Sequence, residues 1–166
     1  EYLKGQGFNP RAQNVSIGIR VGGIDIDLVP GRRQNIVGGD HSLYLRKQKS
    51  WQKTNVLRHI GYVKMHNRLP ETRIIKIWRN QWGFEFPSFY LEMAVVRAMK
   101  GAPLLSLSKR VVKVLEFLRD DFTKAQFIDP ANTNNIISDD LTVTERNIIR
   151  DAGDRALRGN WDEFVK

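Results

Sequence analysis

The sequence contains no cysteine among its 166 residues. Disulfide bonds and thiolate-bound zinc are therefore excluded within it, and we expect a reducing compartment, the cytoplasm. No apolar run is long enough to cross a bilayer, so we expect no membrane-spanning segment. Two further patterns are missing: the Gly-rich phosphate loops of the Walker and dinucleotide-binding types, and a metal-ligand spacing among the three histidines.

Basic side chains are in excess. Lys and Arg number 27 against 18 Asp and Glu, which gives a formal net charge of +9. An excess of this size favours polyanionic partners such as nucleotides, nucleic acid or anionic lipid. No pattern in the sequence specifies an oligomeric state.

The segment 14–30, NVSIGIRVGGIDIDLVP, predicts a β-hairpin. Gly22 and Gly23 fit a two-residue type I′ turn between two runs of β-branched residues, since both turn positions need positive φ. A turn this tight fixes the pairing of the strands. It places Val21 opposite Ile24, Arg20 opposite Asp25, Ile19 opposite Ile26 and Gly18 opposite Asp27.

Two carboxylates, those of Asp25 and Asp27, therefore share one face of the hairpin with Gly18 beside them. Such a pair is typical of a site for a hard divalent cation, because Mg²⁺ takes carboxylate oxygens and keeps waters and phosphates as its other ligands. The alternative is structural. Asp25 would pair with Arg20 across the strands, and Asp27 would be solvated.

The pattern changes from period 2 to helical periodicity near residue 50. We therefore predict an α+β chain with two domains: residues 1–50, with a remnant antiparallel sheet, and residues 51–166, with about five helices. Residues 41–47 predict a further strand. We expect the frayed end of a helix followed by a loop at 1–13, a flexible basic loop after Pro30-Gly31, and a connector at 48–53. Helices are expected at about 54–67, 70–83 and 87–101, from 106 or 108, and after a capping box at Thr142 and Glu145, with a last turn at 161–165.

Two helix positions carry candidate binding groups. Arg73 and Lys76 lie on a polar stripe with Asn80 and suit a phosphate, although charged stripes also commonly face water. Ser88 and Phe89 follow Pro87 at the start of the third helix. A hydroxyl and free N–H groups suit an anion there, and the ring suits a base. The alternative makes Ser88 a helix cap and Phe89 a core residue.

Four blocks, GIDIDLVPG, TRIIKIW, PSFYLE and DPANTNN, resemble in this order the 2′-5′-oligoadenylate synthetase and bacterial cyclic-oligonucleotide synthase (CD-NTase) group of polymerase-β-like nucleotidyltransferases. The resemblance implies a mixed α/β lobe and a helical lobe, with nucleotide in the cleft between them. It also implies Mg²⁺ or Mn²⁺ as cofactor and nucleoside triphosphates as substrates. The product would be a linear or cyclic oligonucleotide signal, of the kind used in antiviral defence.

The resemblance also suggests roles for individual residues. Asp27, before Leu28-Val29-Pro30, matches the family's third metal-binding carboxylate, and Asp25 is its neighbour and a further candidate ligand. Lys76, and less closely Arg73, match basic residues that contact the triphosphate. Ser88 and Phe89 match the polar residue and the aromatic at the next helix start, where the family usually has Tyr.

One region of the family does not occur in these 166 residues: a Gly-Ser motif followed by a paired Asp-x-Asp, which the family carries on a strand and helix earlier than the strand with Asp25 and Asp27. Two of three catalytic carboxylates are thereby missing, and a two-metal arrangement needs them. We therefore expect this chain to be the C-terminal part of a nucleotidyltransferase and to be inactive alone. The alternatives are a noncatalytic basic nucleic-acid-binding module and a degenerate scaffold.

Overall fold

The computed structural model describes residues 1–102 and 106–159. The chain divides into two compact units, Glu1–Leu57 and the residues from Arg58 onwards. Small antiparallel sheets and six helices confirm the predicted α+β class. The helical turn expected at 161–165 lies outside the described residues.

The first unit contains two three-stranded antiparallel sheets, preceded by the short helix α1 (Tyr2–Gly5). The first sheet has the order β1-β2-β3, and the second has the order β4-β5-β6. The strands are β1 (Arg11–Ala12), β2 (Ile17–Val21), β3 (Ile24–Leu28), β4 (Gly31–Arg33), β5 (His41–Leu45) and β6 (Ser50–Thr54).

The β2–β3 hairpin confirms the predicted register. Gly22 and Gly23 have φ angles of +56° and +84°, as a type I′ turn requires. The strands pair Val21 with Ile24, Arg20 with Asp25, Ile19 with Ile26, Gly18 with Asp27 and Ile17 with Leu28. The apolar side chains therefore share one face, on which Ile19 is buried whereas Ile24 is 67% exposed.

Three polar stretches that were expected to be loops form strands instead. Strand β1 lies within 1–13, β4 lies in the basic stretch after Pro30, and β6 lies in the expected connector 48–53. Each is short and mostly exposed, so none shows the apolar alternation that marks a half-buried strand. The partner strand decides their conformation: β5 pairs with both β4 and β6.

Five helices follow the strands. They are α2 (Val56–His66), α3 (Leu69–Trp82), α4 (Ser88–Ala98), α5 (Leu107–Asp120) and α6 (Val143–Arg158). Local signals set several of their ends, as predicted. Pro70 lies in the first turn of α3, and Gly83 closes that helix with a φ of +65°. Thr142 and Glu145 form both hydrogen bonds of the capping box that starts α6.

The core of the second unit is an aromatic and aliphatic cluster centred on α4 and α5. Tyr90 is fully buried among Phe86, Phe122 and Phe127, with ring centroids 5.1–5.4 Å from its own. Edge and tilted contacts of this kind add to the free energy gained by removing the rings from water. Tyr90 lies in the first turn of α4, so its packing fixes the start of that helix in the core.

A carboxylate is also buried in this unit. Glu71, in the first turn of α3, is fully buried and lies 3.5 Å from the Arg68 guanidinium and 3.0 Å from that of Arg110 on α5. A charge that is removed from water in this way must be paired. The ion pairs therefore tie the start of α3 to the start of α5.

The DPANTNN block forms a second hairpin within the helical unit. Its strands are β7 (Ile128–Asp129) and β8 (Asn132–Ile136). The predicted turn is confirmed at Pro130 and Ala131, whereas the asparagines that follow lie in β8. Two 3₁₀ turns, at Phe122–Lys124 and Ile137–Asp140, flank the hairpin.

Candidate functional site

Asp27 lies on the polar face of the β2–β3 hairpin, opposite Gly18. The side-chain amide of Gln13 crosses the open space above the glycine, and its Nε2 donates to Asp27 Oδ1 at 2.9 Å. A Cβ at position 18 would lie 3.0 Å from Gln13 Nε2 and 3.2 Å from Asp27 Oδ1. The space that the sequence predicted beside Gly18 is thus used by a hydrogen bond to Asp27.

Asp25 is also on this face, but its ionic partner differs from the expected one. Its Oδ1 lies 3.1 Å from Nη2 of Arg11, and both side chains are mostly exposed. Arg20, the residue paired with Asp25 in the register, donates its Nε to the carbonyl of Gly23 instead. The predicted Asp25–Arg20 ion pair is therefore wrong, because strand β1 brings a second arginine within reach.

The carboxylates fit part of a divalent-cation site. Asp25 and Asp27 supply hard oxygen donors from an exposed strand, the donor type that Mg²⁺ prefers. Within the described residues, no group of three His, Asp or Glu side chains is arranged to hold a metal ion. Asp27 is the better candidate of the two, because its neighbour is a neutral amide rather than the guanidinium that pairs with Asp25.

In the second unit, the start of α4 meets one face of α3. Lys76 on α3 places its Nζ 2.5 Å from Glu92 Oε1 on α4, one turn beyond Ser88. Both side chains are largely shielded from water, which strengthens the pairing. Of the two basic residues that the sequence singled out, Lys76 is the one next to α4.

Arg79 is the second cation at this helix start. Its Nη1 donates to the carbonyl of Phe86 at 2.7 Å and to Ser88 Oγ at 3.2 Å. Arg73 is exposed and contacts no hydrogen-bonding or ionic partner in the described parts of the chain. The sequence offered a signal for Arg79, since it lies three residues after Lys76 and such residues share a helix face.

Phe89 follows Ser88 and is half-buried. One face of its ring stacks on the imidazole of His59 from α2, with centroids 4.2 Å apart and planes 28° apart. The ring of Tyr62 meets it edge-on at 6.2 Å. His59 therefore covers one face of the Phe89 ring.

Asp129 holds His59 in place. Its Oδ1 lies 2.7 Å from His59 Nε2, and the carboxylate is almost fully buried. It also accepts from the N–H of Ala131 and from the side-chain amide of Asn135. Spacing in the sequence could not predict this pair, because 70 residues separate the partners.

A large cavity lies elsewhere in the same unit. It has a volume of about 1220 Å³ and is lined by residues at the end of α4 and along α5, among them Arg97, Lys100 and Lys113. Lys76, Ser88 and Phe89 do not line it. The candidate residues therefore do not belong to this cavity.

None of the described helices combines the length and the hydropathy that crossing a membrane requires. In the part of the chain that the structure describes, antiparallel strands are followed by helices, which defines an α+β fold. Neither a family model nor a curated protein matches the chain.

Two solved structures share this fold. Both contain CdnC, a CD-NTase from E. coli MS115-1, one in a complex with HORMA-deltaN and one with ATP. The TM-scores are 0.70 and 0.71, at 18% and 19% sequence identity, over 90% of this chain. The matches cover 56% and 57% of the CdnC chains, so this chain spans just over half of their length.

Proposed function

We propose that this chain is the C-terminal part of a nucleotidyltransferase. The full-length protein would bind a nucleoside triphosphate with Mg²⁺ and build a linear or cyclic oligonucleotide. The observation that carries the proposal is that two cations of α3 reach the first turns of α4: Arg79 donates to Ser88, and Lys76 pairs with Glu92. The fold shared with CdnC, for which a structure with ATP exists, supports it.

The start of α4 and the facing side of α3 offer several donors to a triphosphate. The ammonium group of Lys76 and the guanidinium group of Arg79 supply positive charge, and Ser88 supplies a hydroxyl. The first turn of α4 adds backbone N–H groups without intrahelical acceptors, together with the positive end of the helix dipole. These groups would bind and orient the phosphates, and Phe89 would stack on the base.

In the strand unit, Asp27 would be the metal ligand, with Asp25 as a secondary one. When bound, Mg²⁺ or Mn²⁺ would supply charge neutralisation at phosphate oxygens. The hydrogen bond from Gln13 restricts the Asp27 side chain without neutralising its charge, which would favour binding of a cation.

The proposal is tested by titrating the full-length protein with each nucleoside triphosphate in the presence of Mg²⁺ by calorimetry. We expect saturable binding and pyrophosphate release, and no pyrophosphate release from residues 1–166 alone. If the full-length protein binds none of the triphosphates, the proposed function is wrong. Turnover by the isolated chain that disappears in Asp27→Ala would contradict the view that further catalytic residues are needed.

A second candidate is a noncatalytic module that binds nucleic acid, and the net charge of +9 favours it. The two functions differ in their salt response. A nucleic-acid-binding module loses affinity steeply as salt rises, because each phosphate contact releases counterions. Titration with DNA and RNA at two salt concentrations, beside the triphosphate titration, separates the two.

A further inference from the structure

We infer that His59 is a positioning residue for Phe89, which fixes the ring so that a nucleobase stacks on its other face. The inference rests on the proposed function, since it concerns the base that Phe89 would contact. It assigns a role to a residue of α2 and to the DPANTNN hairpin, neither of which takes part in the proposed phosphate binding.

His59 is anchored by a buried carboxylate. Its Nε2 lies 2.7 Å from Asp129 Oδ1, and Asp129 is only 3% exposed. Two further donors, the N–H of Ala131 and the amide of Asn135, hold the carboxylate at 2.7 Å and 3.1 Å. An aspartate bound from three sides is a rigid acceptor, so the imidazole is not free to rotate away.

The anchored imidazole covers one face of the Phe89 ring. The centroid distance of 4.2 Å and the interplanar angle of 28° describe a stacked pair. The edge of Tyr62 restricts the same ring from a second direction. A phenylalanine held by two rings has lost its rotamer freedom before a ligand arrives, which lowers the entropic cost of stacking on a base.

The alternative is that the imidazole of His59 competes with a nucleobase for the Phe89 ring. The buried bond to Asp129 argues against displacement, because a base that took the place of His59 would leave Asp129 short of a donor. The two roles of His59 predict opposite changes in base affinity when the imidazole is removed. Removing the imidazole weakens base stacking if His59 positions the ring, and strengthens it if His59 blocks the ring.

The experiment compares the affinities of the full-length protein for ATP and for inorganic tripolyphosphate, both with Mg²⁺. The dissociation constant for tripolyphosphate divided by that for ATP measures the part of binding that depends on the nucleoside. A lower ratio means that the nucleoside contributes less. His59→Gln is the main variant, since its amide can still donate to Asp129 but has no ring. His66→Gln is the matched control, because His66 lies on the same helix and contacts Tyr62 in a tilted arrangement rather than Phe89.

We expect Phe89→Ala to lower the ratio at least about fivefold, since stacking on an aromatic is a main source of affinity for a base. His59→Gln should lower it about two- to tenfold, with the affinity for tripolyphosphate unchanged. In a Phe89→Ala background, His59→Gln should change the ratio less than about twofold, because His59 acts through Phe89. His59→Phe keeps a ring but cannot donate to Asp129, so its ratio should lie between those of His59→Gln and the wild type.

Several results would overturn the inference. These are an unchanged or higher ratio in His59→Gln, an equal loss of affinity for both ligands, or a His59→Phe ratio as low as that of Phe89→Ala. If the wild type binds ATP no more tightly than tripolyphosphate, Phe89 does not stack on a base and the inference fails. If it binds neither ligand, the proposed function fails as well.

Discussion

Gly18 and Asp27 occupy paired positions on β2 and β3, and the absence of a side chain at Gly18 allows Gln13 to reach Asp27. The amide of Gln13 donates to Asp27 Oδ1 at 2.9 Å and is itself held by Ser16, whose hydroxyl donates to Gln13 Oε1 at 2.7 Å. The glycine on β2 thus allows a hydrogen bond to the carboxylate on β3.

We predict that Gly18→Ala breaks the hydrogen bond from Gln13 to Asp27 without unfolding the sheet. The new Cβ would lie 3.0 Å from Gln13 Nε2, the mobile end of a flexible side chain, which can move away. The net loss should be about 1 kcal/mol of unfolding free energy or less. NMR of the Gln13 side-chain amide measures this, with Gly5→Ala as a control in open space. An unshifted Gln13 amide in Gly18→Ala would contradict the prediction.

Asp27 and Asp25 should differ in their importance for turnover. In the full-length protein, Asp27→Asn should abolish product formation, because the amide keeps the shape but loses the charge that binds the cation. Asp25→Asn should only remove the exposed ion pair with Arg11, which costs less than about 1 kcal/mol. Product formation at saturating Mg²⁺ and thermal melts of both variants provide the measurements. Near-normal activity in Asp27→Asn would require another metal ligand.

Lys76 should contribute to triphosphate affinity. Lys76→Ala removes a charge-assisted contact, which costs about 1.5–3 kcal/mol, or roughly ten- to a hundredfold in affinity. It also leaves Glu92 without its partner at 2.5 Å, near the bound phosphates. Calorimetric titration of the full-length variant measures the effect, and Lys64→Ala, an exposed lysine on α2, is the control. Equal affinities in the two variants would exclude Lys76 from the site.

Tyr90 should make stability fall at alkaline pH. Burial raises the pKa of Tyr90 to about 12 from 10.0, and the nearby guanidinium of Arg146 partly opposes this increase. The folded state therefore holds the phenol proton more tightly than the unfolded chain, and this stabilisation is complete below pH 10 and lost as pH rises through 12. At pH 11, Tyr90 is ionised in the unfolded chain but largely protonated in the folded one. The free energy of unfolding of the wild type should therefore fall by up to about 1.4 kcal/mol relative to that of Tyr90→Phe.

At pH 7 the same substitution should be neutral or stabilising, because the Tyr90 hydroxyl is buried without a hydrogen-bond partner in the described parts of the chain. Denaturant unfolding at pH 7, 10 and 11 measures both effects, with the exposed Tyr44→Phe as control. A clear loss of stability in Tyr90→Phe at pH 7 would show that the hydroxyl has a partner.

The fold could be predicted where turn and cap chemistry acts locally. Gly22 and Gly23 determine a hairpin register, and Thr142 with Glu145 determines a helix start, because each acts within a few residues. Strands β4 and β6 were missed because their conformation depends on β5 rather than on their own side chains.

The same distinction applies to the candidate site. Lys76 and Ser88 could be selected from helix spacing and from a proline at a helix start. The contact of Asp25 with Arg11 and that of Asp129 with His59 join residues 14 and 70 positions apart. Contacts of that range are set by how the elements pair and pack, and a single sequence shows no trace of them.

Glu71 has a consequence for the uniqueness of the helical packing. Aliphatic ridges on α3 and α5 can interdigitate in more than one alignment, but a shift of either helix by one turn would leave this carboxylate buried without Arg110. Such a mismatch costs several kcal/mol, so the ion pair excludes wrong alignments more than it adds to stability. We expect Glu71→Leu with Arg110→Met to melt at the wild-type temperature or higher and to show several sets of NMR resonances for α3. A single set would refute this role.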